Sequence, residues 1–251
     1  LAQLLNQKVF GEWNSNELRD AKTKKKYKAT IKFIFKNNFI CEYSSEIRFH
    51  GDGSDHLIFK GGDSNRTATI QNTTGGMNSN VMTNGYLQLY NLTFNDKLNV
   101  NDGSVLFMNE VNFESLSLDN DDYSQINIYG TSNAIIRDSN ITGELRASEN
   151  SNIEIKESTL SPSSNSNYSL EAKKNSHIES EELTLSGEIN VNRGSSWSDD
   201  NSVINTDSIY ISQNGSFEIS DSTINCSTSS ISCISLDRNS SGVIYNLSMT
   251  G

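Results

Sequence analysis

The chain has 251 residues, a formal net charge of -11, 34% apolar and 20% charged residues and a single proline. So little apolar material leaves a compact globule short of core, and no stretch approaches the roughly 20 apolar residues of a membrane-spanning helix. Disorder, the other outcome for a polar acidic chain, is excluded by short alternating runs of Ile, Leu, Val and Phe, which predict strands.

The chain opens on "LAQLLNQKVF", without an initiator Met or a basic-then-apolar signal segment, and is expected to be an excised or matured piece of a longer protein. The segment "NSNELRDAKTKKKY" (14–27) offers Asn and Ser N-caps and predicts a short helix, and "ATIKFIF" (29–35) predicts a strand. Residues 1–50 are therefore expected to form an N-terminal cap and the first strands, hiding the first rung of whatever follows.

From 51 to 251 the chain repeats. Eight five-residue strings align: "YNLTF", "EVNFE", "DSNIT", "ESTLS", "ELTLS", "NSVIN", "DSTIN" and "NLSMT". The units begin near Tyr86, Val105, Asn133, Asn152, His177, Ser196, Ser216 and Ser241, at spacings of 19, 28, 19, 25, 19, 20 and 25. Each also carries a second apolar run: "LNV" at 98, "LSL" at 116, "LRA" at 145, "LEA" at 170, "INV" at 189, "IYI" at 209 and "ISL" at 234. From the end of that run to the next unit is five residues in every case but one.

Alternation sends Leu and Ile to one face and polar residues to the other, and Asn, Gly and Ser permit corners. Stacked units of this length bury one apolar column. The expected fold is all-β: a right-handed parallel β-helix, a solenoid of about 19–20 residues per basic coil under a helix-containing cap. The final segment "SGVIYNLSMTG" starts an eighth coil, whose rung is expected to be continued by the parent protein or covered by a partner.

Departures from the period mark candidate binding loops: "SPSSNSNYS" (161–169), "NCSTSSISC" (225–233) and "DNDDYSQINIYGTS" (119–132). The last gathers Asp119, Asp121, Asp122, Tyr123 and Tyr129, and the first carries Tyr168. Aromatic faces beside carboxylates suit a sugar ring or a basic partner. Cys226 and Cys233, seven residues apart in the second loop, are expected to form a disulfide if the compartment is oxidising. Cys41 reads as a strand residue.

His50, His56 and His177 are dispersed and lack metal-ligand spacing, so no metal or cofactor is expected. The acidic charge is compatible with calcium, but the Gly-Gly-x-Gly-x-Asp nonapeptide is missing. Residues 1–99 carry a net +4 and residues 100–251 a net -15, an acidic body that excludes nucleic acid and anionic membranes as partners. Asp221, in "FEISDSTINC", has the look of a catalytic acid, but it stands where Asp138, Glu157 and Glu182 stand in other units and reads as a solvated repeat position.

An opening "ELRDA...ATIKFIF...EIRFHGDGSDHLIFKGG" and coils such as "NIEIKESTLS" and "SFEISDSTIN" resemble the pectate-lyase-like β-helix superfamily. The likeness is greatest to bacterial surface adhesin passengers of the autotransporter and two-partner-secreted type, notably in "GSSWSDDNSVINTDSIYISQNGSFEIS" (194–220). The resemblance implies an extracellular or cell-surface protein that binds host or bacterial surface glycans or proteins, or self-associates between cells, without catalysis. Polygalacturonases of that superfamily carry Asn-x-Asp, Asp-Asp and His-Gly in that order. Here His50 and Gly51 precede Asn120, Asp121 and Asp122, so the pattern is not met. The alternative is a phage tailspike-like or secreted β-helix that grips or cleaves polysaccharide.

Overall fold

A computed structural model describes residues 30–35, 40–43, 48–50, 53, 55–61, 68–72, 80–114, 124–163, 167–227 and 233–250. The helix expected over 14–27 lies outside the described residues, and within them every regular element is a strand. The strands form two long parallel sheets of 18 and nine strands. This all-β arrangement is compatible with a β-helix or solenoid-like fold.

The chain passes repeatedly through three strand positions, and each strand pairs in parallel with its counterpart one coil away. The first position aligns Tyr86 with Val105, Val105 with Asn133, Asn133 with Asn152 and Asn152 with His177. It continues from His177 through Ser196 and Ser216 to Ser241. These are the eight unit starts read from the sequence. Two further coils precede them, because Thr30 pairs with His56 and His56 with Tyr86.

One assignment changes. The third strand of the Val105 coil is Ser124–Ile128, not "LSL" at 116. Ile126 and Ile128 lie in register with Leu98 and Val100 on one side and Leu145 and Ala147 on the other. From Ile128 to the next coil start is then five residues, so the exception in the sequence spacing disappears. The insertion shrinks to residues 115–123 and, like the other two, falls between a second and a third strand.

The core is the stack of inward positions. Leu106, Ala134, Ile153, Ile178 and Trp197 follow one another in the first strands, and Phe113, Ile141, Leu160, Leu185 and Ile204 in the second, all buried. Between these strands, one residue per coil takes a left-handed backbone: Asp138, Glu157, Glu182, Asn201 and Asp221 have φ of 49, 49, 54, 55 and 50°. Asp and Asn tolerate that region better than most residues. Their N–H groups reach the carbonyl one coil on, as in Asp221 N–H to Tyr245 O at 3.2 Å.

The next residue is usually a buried Ser. Ser158 Oγ accepts the Ser139 N–H at 3.1 Å and donates to Lys156 O at 2.7 Å. Ser222 Oγ likewise accepts from Ser202 N–H at 3.0 Å. A second serine ladder turns the corner before each first strand, with Ser176 N–H donating to Ser195 Oγ at 3.1 Å. These hydroxyls satisfy backbone donors that leave the sheet at each corner.

Candidate functional site

The outward face of the third strands carries amides, charged groups and a phenol in register. Register places Asn99, Asn127, Arg146, Glu171, Asn190 and Tyr210 in one row, one per coil. The rungs repeat about every 4.8 Å. Asn127 Nδ2 donates to Asn99 Oδ1 at 2.8 Å. A neighbouring position pairs Ser148 with Lys173.

Near the middle of this row the charged groups interlock. The Arg146 guanidinium donates to Glu144 Oε1 at 2.9 Å and its Nε bonds Glu171 Oε2 on the next coil. Lys173 Nζ also reaches Glu171 Oε2, at 3.0 Å, and Asn190 Nδ2 reaches Glu171 Oε1 at 3.5 Å. Glu144 is buried, and its Oε2 has no hydrogen-bond partner. Burial pushes the Glu144 carboxyl up to about 7; Arg146 opposes the rise and Glu171 adds to it.

Tyr168 begins the adjacent third strand, 40% exposed. Burial raises its phenol, and Glu188, Glu171 and Glu144 add to the rise. Tyr129 follows the third strand of the Val105 coil; burial raises its phenol, Asp102 and Glu149 add to this, and a hydrogen bond with Asn101 opposes it. The two tyrosines sit at opposite ends of their strands and two coils apart, so they do not form one site. Asp119, Asp121, Asp122 and Tyr123 lie outside the described residues.

Cys226 and Cys233 are joined, with sulfurs 2.10 Å apart, across the corner between the second and third strands. His56 stacks on Tyr86 with ring centres 4.5 Å apart, while His177 Nδ1 lies 2.8 Å from Ser196 Oγ. Among the described residues no three His, Cys, Asp or Glu side chains group so as to hold a metal ion.

A second carboxylate is buried in the core itself. Asp199 points inward beside Trp197, and Ser202 and Ser222 donate to it at 2.8 and 2.9 Å. Ser180, which accepts the Trp197 indole N–H at 3.0 Å, completes the set. With both carboxylate oxygens hydrogen-bonded, the group serves packing. Burial raises its proton affinity, against the three hydroxyl bonds.

An acid raised in this way contributes stability that is present at low pH and lost as pH rises through the folded value. Asp199→Asn, which stays neutral, is therefore expected to melt above the wild type at about pH 7, the two converging toward about pH 4. A thermal melt series across that range checks this, and a lower Tm for the variant at neutral pH would contradict it.

Glu144, Arg146 and Glu171 were not legible as a site because each occupies an ordinary outward strand position. The available signal was the spacing in "GELRA" and "SLEAKK": opposite charges two residues apart on one strand face, repeated in successive coils. No protein-family model, curated protein or solved structure matches the chain.

Proposed function

We propose that the chain is a right-handed parallel β-helix from an extracellular surface adhesin passenger, and that its third-strand face binds surface glycans without catalysis. The observation that carries this reading is the row Asn99, Asn127, Arg146, Glu171, Asn190 and Tyr210, fixed on one face by strand register. Amides, a guanidinium, a carboxylate and a phenol complement hydroxyl groups and the apolar face of a sugar ring. A rigid sheet holds them with little conformational entropy left to lose on binding.

The right hand follows from the strong bias of connections between parallel strands. The Cys226–Cys233 disulfide is in keeping with an oxidising compartment. A polysaccharide-cleaving role has one feature in its favour, a carboxyl raised toward neutrality beside a second carboxylate. Glu144, however, has a side chain only 2% exposed, so a bound glycosidic oxygen does not come within reach of its proton.

Tyr210 is 39% exposed, and its hydroxyl donates to Asp237 Oδ2 at 3.3 Å, so its ring is available at the surface. Tyr210→Ala and Asn190→Ala are each expected to weaken glycan binding about tenfold, roughly 1.4 kcal/mol. Tyr129→Ala, at the far end of the face, leaves binding unchanged. A panel of immobilised bacterial-surface and mucin-type glycans, probed with the folded proteins, reads this out. Failure of the wild type to bind any member sinks the reading.

A further inference from the structure

The third strands of three successive coils begin on Glu144, Tyr168 and Glu188. Tyr168 and Glu188 are register partners, so their backbones lie about 4.8 Å apart. A bulge follows at Ser169, because Tyr168 and Leu170 pair with the consecutive residues Glu188 and Ile189. Bulges re-aim neighbouring side chains, and the Tyr168 ring is left 40% exposed.

The Glu188 N–H donates to the Asn167 carbonyl at 2.7 Å, which fixes its backbone against the residue before Tyr168. Gly187, with φ of 101°, permits this approach. A Cβ there would lie 2.6 Å from Ser169 Oγ and 2.9 Å from the Asn167 carbonyl oxygen.

The cations of these three strands sit further along. Arg146 lies two residues beyond Glu144, and Lys173 five residues beyond Tyr168, roughly 16 Å along an extended strand. Both bond Glu171, and Arg146 bonds Glu144 as well. Among the described residues the Glu188 side chain makes no hydrogen bond or ion pair.

The start of these strands therefore sets a carboxylate without a counter-ion beside a half-exposed phenol ring. An anionic sugar is repelled here, and again by the net -15 of residues 100–251. A neutral sugar uses the ring but leaves the charge unanswered. A protonated amine answers both, through a charge-assisted hydrogen bond to the carboxylate and attraction to the ring face.

The geometry points to Tyr168 and Glu188 as a subsite for a sugar that carries a free amine, its ammonium held between the Glu188 carboxylate and the Tyr168 ring. This rests on the reading of the third-strand face as a glycan-binding surface, and it names the class of sugar that face selects.

The test compares chitosan oligosaccharides, whose amines are free, with the same oligosaccharides after N-acetylation, both added to the glycan panel. The wild type is expected to bind the free-amine form about tenfold more tightly, and the difference shrinks as salt is added. Glu188→Gln, which keeps the side-chain shape and the backbone bond to Asn167, removes the preference, and Glu188→Lys reverses it. Glu218→Gln, which takes one charge from the outward face of the first strands, leaves it intact. Thermal melts matching the wild type establish that the variants are folded.

Equal binding of the two forms, or tighter binding of the acetylated one, overturns the subsite. So does a preference that survives Glu188→Gln or falls equally with Glu218→Gln, since either makes it a property of the whole acidic body. Binding of other panel members but of neither oligosaccharide overturns the subsite and leaves the glycan face standing. Binding of no glycan at all sinks both.

Discussion

Replacing Trp197 with alanine is expected to destabilise the protein by about 4 kcal/mol, in the range of buried Trp truncations. Trp197 is the largest fully buried side chain among the described residues and sits in the inward column between Ile178 and Phe217. Its removal opens a cavity that neither neighbour fills by a simple rotamer change, because Phe217 is already committed upward. A Cβ placed on Gly242, the next residue in the column, would lie 2.0 Å from the Phe217 ring. The ring thus occupies the space that glycine leaves.

The loss is polar as well, since Ser180 no longer receives the indole N–H and the hydroxyl shell of Asp199 loosens. Trp197→Phe separates the two contributions, keeping most of the volume and discarding the donor, and is expected to cost about 1–2 kcal/mol. Urea denaturation followed by circular dichroism measures both variants. A Trp197→Ala effect under about 1 kcal/mol means the column repacks, contrary to this account.

Much of the stack was legible because strand register is a property of spacing. The constant step from the second apolar run to the next coil start reflects a corner of fixed geometry, in which one or two residues with positive φ turn the chain, as Lys174 and Asn175 do at 56 and 61°. The same rule held the key to the one misassignment. "LSL" and "INI" alternate equally well, and only the five-residue step distinguishes Ile128 as the strand end.

The coil that starts at His56 escaped because residues 62–67 and 73–79 separate its strands and dilute the period, although "LIFK" and "ATIQ" each alternate. Ser180 and Asp199 defeat a binary pattern altogether. They are polar at inward positions, and of the hydroxyls that make Asp199 tolerable only that of Ser202 is close in sequence, while those of Ser180 and Ser222 come from the neighbouring coils. The Glu144–Arg146–Glu171 cluster needed register again, because nothing local distinguishes a carboxylate that meets a guanidinium on the next coil from one that meets water. Asp221 illustrates the converse: an isolated acid among Ser and Thr is explained by the left-handed corner it shares with Asp138, Glu157 and Glu182.

Reducing the Cys226–Cys233 bond, or replacing both residues with serine, is expected to cost about 2.5 kcal/mol, the closure entropy of a loop of this length. Where that cost is felt depends on the architecture. Each coil contacts only its neighbours, so a quasi-one-dimensional stack unfolds from its weaker end rather than all at once.

The disulfide ties the second strand Thr223–Cys226 to the third strand Ile234–Leu236, and both cysteines pack against the core. The Cys233 carbonyl accepts the Ile209 N–H at 2.7 Å, so opening the corner releases a rung of the preceding coil. Hydrogen exchange at Ile209 and Ile211 is therefore expected to accelerate about 60-fold on reduction, the same free energy read locally. Amides of Ile153 and Ile155, three coils below the disulfide, keep their protection. Uniform acceleration along the whole chain would mean that the coils unfold as a single cooperative unit, and the one-dimensional account of the stack would fail.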